Sequence, residues 1–115
     1  MVALPEWTKE FPVSITVCDS EGTILSMNDR ACKSFENEGG ASLIGTNVLD
    51  CHPAPARMVL EELLASGRSN TYTIEKGGQK KLIFQSPWYV EGEYAGLVEI
   101  SIPLPENMPH FVRGV

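Results

Sequence analysis

The 115 residues contain no apolar run near the roughly 20 needed to cross a bilayer, which excludes a spanning helix. Met1 to Pro12 carries Pro5, Glu6 and Glu10 where a secretory signal needs an apolar centre, so the chain reads as cytosolic. Positive charge is sparse and scattered: nine Lys and Arg against fifteen Asp and Glu give a net charge of −6, with only Lys80–Lys81 adjacent. No basic stripe offers itself to phosphates, and direct nucleic-acid binding is not expected. Cysteine is scarce too. Cys18, Cys32 and Cys51 make an odd count without C-x-x-C spacing, which suits reduced thiols rather than a disulfide framework or a zinc knot. Two histidines, no phosphate-binding glycine loop, no nucleophile elbow and no H-E-x-x-H leave no enzyme signature.

What is present is 43% hydrophobic content without repeats or low-complexity runs, enough for one domain with a real core. Residues 1–12 read as a flanking arm, with Trp7 and Phe11 four apart on a short helix suited to packing on the domain or on a second copy of it. Val13 to Cys18 is β-branched and alternating, Asp19-Ser20-Glu21-Gly22 is a turn, and Thr23 to Met27 a return strand. Asn28 and Asp29 start a short helix bearing Ala31, Cys32 and Phe35, stopped by Gly39-Gly40, and Leu43-Ile44-Gly45 marks a further turn or helix. A longer helix is predicted from about Ala54 to Ser66, with Ala56, Val59, Leu60, Leu63 and Leu64 on its apolar stripe, Arg57, Glu61 and Glu62 toward water, and Gly67 as C-terminal cap.

Strands follow: Ser69 to Glu75, a turn at Lys76-Gly77-Gly78-Gln79, Lys80 to Val90, a turn at Glu91-Gly92-Glu93, and Tyr94 to Pro103. The order β-β-α-α-α-β-β-β predicts an α+β fold, a five-stranded antiparallel sheet with helices packed on one face. The domain then runs over 13–103, and the proline-containing 104–115 reads as an outgoing linker or tail.

One stretch stands out, Gly45 to Leu64, in which His52 precedes Pro53 at the mouth of the long helix. Proline keeps the residue before it out of the helical region, and the positive end of a helix favours the neutral imidazole, the form that binds a metal. Cys51, at the same helix start, has either a stabilised thiolate or the role of a small buried hydrophobe; Cys18 and Cys32 read as core. Glu91 and Glu93 beside the turn glycine, and His110 in the tail, read as solvated.

The hairpin I-T-V-C-D-S-E-G-T-I-L-S-M-N-D from Ile15, the L-I-G-T-N-V-L-D segment at Leu43 to Asp50, the His52-Pro53 pair and the closing G-L-V-E-I-S-I at Gly96 to Ile102 together resemble a PAS domain. The resemblance implies a sensory or dimerisation module with a pocket between sheet and helix. Asn47 is followed by Val48, which departs from the flavin-adduct type, whose reactive Cys stands there. The oxygen-sensing haem type linked to histidine kinases has its ligand histidine within the long helix, where this chain has Met58, Val59 and Leu60. The segment Cys51 to Leu64 resembles the carbon-monoxide-responsive haem PAS regulators, and the carry-over falls on His52 as axial ligand. Their second axial Met or Cys has no counterpart near Thr71 to Ile74.

On this resemblance the pocket holds haem b through His52, walled by Val59, Leu60, Leu63, Phe84, Trp88, Val98 and Ile100, and senses a diatomic gas or redox state. Trp88 is either a distal indole donor to a bound gas or a packing or dimer residue. For His52 the alternative is a ring that caps the helix or bonds a backbone group. The resemblance also implies a homodimer and an effector, kinase or transcription-regulator partner. Two further functions stay open, a dimerisation module with a filled core and a sensor of a small organic metabolite.

Overall fold

The computed structural model describes residues 4–114, Cys51 by its backbone alone. Strands β1 (Ser14–Asp19) and β2 (Ile24–Met27) form the first hairpin. Helix α1 (Asp29–Ser34) and 3-10 turns at Glu36–Glu38, Gly40–Leu43 and Val48–Cys51 lead to α2 (Ala54–Ser66). Strands β3 (Asn70–Lys76), β4 (Gln79–Val90) and β5 (Glu93–Pro103) complete an antiparallel sheet of order β2-β1-β5-β4-β3. The chain's first and last strands, β1 and β5, are therefore neighbours at the centre.

Local chemistry accounts for the joints. Asn28 is buried and caps α1 by accepting from Ala31 N–H at 3.1 Å. The same side chain accepts from Ile15 N–H at 2.9 Å and donates to the carbonyls of Thr8 and Val13 at 2.9 and 2.7 Å, tying arm, strand and helix together. Helix α2 ends where Gly67 takes a left-handed conformation (φ 68°) and its N–H returns to Leu63 O at 2.9 Å. Gly96 (φ 150°) lies against β1, and a Cβ there would run into the Cys18 carbonyl oxygen, so only glycine lets β5 seat on β1.

The core is small. Cys18 and Leu97 from the sheet meet Leu60, Leu63 and Leu64 from α2, with Val48 and Leu49 packed alongside. Only the second half of α2 is anchored in this way. Ala56 and Val59, expected on the buried stripe, are exposed, Val59 by 43%, because the first half of the helix stands over a cavity instead of the sheet. In the arm, Trp7 and Phe11 meet edge to face at 5.3 Å but stay exposed, and the arm is held by Thr8 and Asn28 instead. Among the described residues no helix is long and apolar enough to cross a membrane.

Candidate functional site

His52 is presented by a rigid turn. Asn47 caps the 3-10 turn Val48–Cys51 by accepting from Leu49 N–H at 2.9 Å and donates to Glu21 O at 2.9 Å, while Val48 N–H bonds Gly22 O at 2.8 Å. The N-V-L-D stretch thereby fastens the approach to α2 onto the β1–β2 turn. His52 follows in extended conformation (φ −118°, ψ 132°), as proline at the next position requires. Its Nδ1 lies 2.7 Å from Val48 O. A carbonyl only accepts, so in the neutral ring the proton is on Nδ1 and Nε2 carries the lone pair. That bond fits a ring fixed to backbone, and it equally fits a metal ligand, which normally donates its second nitrogen to such a group.

His52 borders two adjoining cavities that share His52 and Tyr72. One, about 360 Å³, lies under α2 between Pro55, Ala56, Val59 and Leu60 and the strand residues Asn70, Tyr72 and Gln85. The other, about 510 Å³, continues toward α1, between Arg30, Lys33, Phe35 and Glu36 above and Ile74, Lys81, Ile83, Glu99 and Ser101 below.

Strand register decides which residues form the floor. Cys18 pairs with Leu97, which faces α2 in the core, so alternation puts Glu99, Ser101, Gln85, Ile83, Tyr72 and Asn70 on the helix side. Val98, Ile100, Phe84 and Trp88 occupy the opposite face, so the expectation that these four wall the pocket is wrong. Phe84 is 38% exposed there. The period of two in β5 is real, but its polar row is the one turned inward, over the cavity. Trp88 donates its indole N–H to Cys18 O at 2.9 Å across the side-chain-free Gly96, so it is a sheet brace and no distal donor. Leu63, fully buried in the core with Cys18 and Leu97, is packing and no pocket wall. Val59 and Leu60 do line the cavity with His52.

The floor carries a polar ladder across three strands. Asn70 Nδ2 donates to Gln85 Oε1 at 2.9 Å, and Gln85 Nε2 donates to Glu99 Oε1 at 2.8 Å. The buried Gln85 amide is thus satisfied on both sides, and the direction of donation ends on the Glu99 carboxylate. Burial pushes the Tyr72 hydroxyl above its ordinary pKa, with the Glu99 charge adding to the effect. The residue patterns do hold a trace of this ladder: Gln85 and Glu99 interrupt otherwise apolar strand stretches, Leu82-Ile83-Phe84 and Leu97-Val98.

Cys18 is buried and its thiol is pushed up to about 11 by desolvation, so it is an inert core residue, as expected. Cys32 is half-buried, the side chain of Cys51 lies outside the described residues, and Glu91, Glu93 and His110 are exposed as expected. Among the described residues no three His, Cys, Asp or Glu side chains gather as a metal site.

No protein-family model and no curated protein matches the sequence. Solved structures do match in fold. The PAS domain of BvgS from Bordetella pertussis aligns at 24% identity and TM-score 0.67, over 87% of this chain and 82% of that one. A C-terminal domain from Streptococcus mutans aligns at 20% identity and TM-score 0.67, over 84% and 79%. The Aer2 receptor from Vibrio cholerae, described as a dual PAS-heme oxygen sensor, aligns at 19% and TM-score 0.60, over 81% and 95%. The chain has the PAS fold, an α+β sheet with its helices on one face.

Proposed function

We propose that this chain is a sensory module in which occupancy of the cavity beside His52 is the signal, and that the occupant is a small organic molecule bound by hydrogen bonds. The observation that carries this is the Asn70–Gln85–Glu99 ladder on the cavity floor. A module built only to dimerise would fill the space between helix and sheet with apolar side chains, whereas here polar groups are fixed under an open volume with Tyr72 and Ile74 still 41% and 37% exposed. That solved structures of this fold include sensor regions of histidine kinases and the Aer2 oxygen sensor supports the sensory reading. Such a module works within a homodimer, from the cytoplasm, through an effector, kinase or transcription-regulator partner, and itself performs no catalysis.

The test is thermal unfolding in the presence of a small-molecule cell extract, beside Ala56→Trp, which fills the volume under α2. A rise in Tm in the wild type that the variant lacks is expected, since a ligand stabilises only the state that binds it. Equal responses of the two proteins would sink the proposal.

Haem b is a second reading, favoured by the His52 geometry alone. His52 Nε2 would hold the haem, with Val59 and Leu60 beside it, and the group would supply the binding of a diatomic gas. The polar floor suits a hydrogen-bonding molecule better than a porphyrin face, which places haem second. A Soret band that shifts with dithionite and carbon monoxide and is lost in His52→Ala would reverse that order; a spectrum of loosely held hemin, unchanged by the substitution, would remove haem.

A further inference from the structure

The chain carries a net charge of −6, yet its cations are not spread evenly over its surface. Of nine Lys and Arg, three are engaged in ion pairs among the described residues: Lys9 with Asp29, Arg57 with Asp50 and Glu61, and Arg68 with Glu62. Arg113 lies over the Phe111 ring. Lys80 is exposed on β4. The remaining four, Arg30, Lys33, Lys76 and Lys81, come from α1, β3 and β4 to line a single cavity, the 510 Å³ one that His52 borders, and none of them has an ion-pair partner among the described residues. Two carboxylates, Glu36 and Glu99, share that lining, so the cavity has four cationic against two anionic groups in an acidic protein. The Glu99 side chain is committed on one oxygen to Gln85, on the floor. Concave walls focus such a field and raise the local concentration of the opposite charge.

We propose that the cavity takes a small organic anion, its carboxylate directed to Arg30, Lys33 and Lys81 at the α1 end and a hydrogen-bond donor of the same molecule directed to Glu99. This rests on the reading of the cavity as a ligand site and adds the ligand's class. Glu99 sets the polarity: an ionised carboxylate accepts only, so the end of the ligand that meets it must donate, and a second anionic group there is repelled. Ile83 and the Tyr72 ring leave an apolar strip between the two ends. A porphyrin's carboxylates share the anion chemistry, so the source of the anion must be separated in the test.

The test is a set of small aromatic and aliphatic hydroxycarboxylates and their methyl esters, each added at millimolar concentration to the ¹⁵N-labelled full chain. Expected are shifts of the Tyr72, Ile83 and Gln85 resonances with the acids and not with the esters, weakening as salt is raised. The triple variant Arg30→Gln, Lys33→Gln, Lys81→Gln, with circular dichroism unchanged, is expected to bind the acids about tenfold or more weakly. These positions are exposed or half-buried, so the fold survives their loss of charge. Acids and esters binding alike would overturn the anion proposal and leave the ligand site standing. No shift at any cavity resonance would overturn both. Hemin retained in preference to its dimethyl ester, with the acids inactive, would assign the cations to porphyrin carboxylates and overturn the small-molecule form.

Discussion

Single side chains carry uneven weight in this molecule, and Asn28 carries the most. Its amide makes four bonds to three segments: the arm at Thr8 and Val13, β1 at Ile15, and α1 at Ala31. Asn28→Ala removes a helix cap and strands buried backbone groups, for an expected loss of about 2–4 kcal/mol, measurable by urea unfolding. Cys18 gives the pH prediction. Its folded pKa of about 11 lies above the ordinary thiol value of 9.0, so the folded thiol keeps its proton where the unfolded one has lost it. Stability from this group is complete below pH 9 and falls through the window up to pH 11, by roughly 2 kcal/mol. The alkaline decline is expected to be shallower in Cys18→Ala, and an identical slope in the two proteins would refute the assignment.

At the scale of elements, α2 is two different helices end to end. Leu60, Leu63 and Leu64 are core, while Ala56 and Val59 overlook the cavity. Leu63→Ala is expected to lower stability by about 3 kcal/mol and Val59→Ala by less than about 0.5 kcal/mol, as chemical denaturation would show. The helix itself was legible from residues: Pro53, the stripe and Gly67 set its ends, and its bounds agree with the expectation. Which part of the stripe is buried was not legible, because periodicity fixes a face and says nothing of how far the sheet extends beneath it. The same limit applies to β5. Alternation separates Val98, Ile100 and Ile102 from Leu97, Glu99 and Ser101, and the apolar row is the natural choice for the interior. Pairing of Cys18 with Leu97 reverses that choice, and pairing is a long-range fact. The His52 turn was readable because Asn47 and Pro53 act locally; the floor beneath it was not, because Asn70, Gln85 and Glu99 meet only across strands.

For the molecule as a whole, the sheet has two faces with separate duties. Tyr72, Gln85 and Glu99 look toward the helices, and Phe84, Val98 and Ile100 look away. Phe84→Ser is therefore expected to leave the ligand-induced rise in Tm unchanged, whereas Tyr72→Ala is expected to remove most of it. A large effect of Phe84→Ser on that rise, at unchanged m-value, would contradict the sidedness.

The placement of β1 beside β5 also orders events in time. β4 and β5 are joined by a tight turn at Glu91-Gly92 and pair along most of their length, a hairpin that can close within microseconds of its residues coming together. β1 must find β5 across the chain, with Ser14 opposite Ser101, 87 residues further on. Until that loop closes, the Cys18–Leu97 pair and hence the seat of Leu63 do not exist. That closure carries the largest loop entropy in the sheet, so the seating of α2 above the cavity is expected to come late in folding.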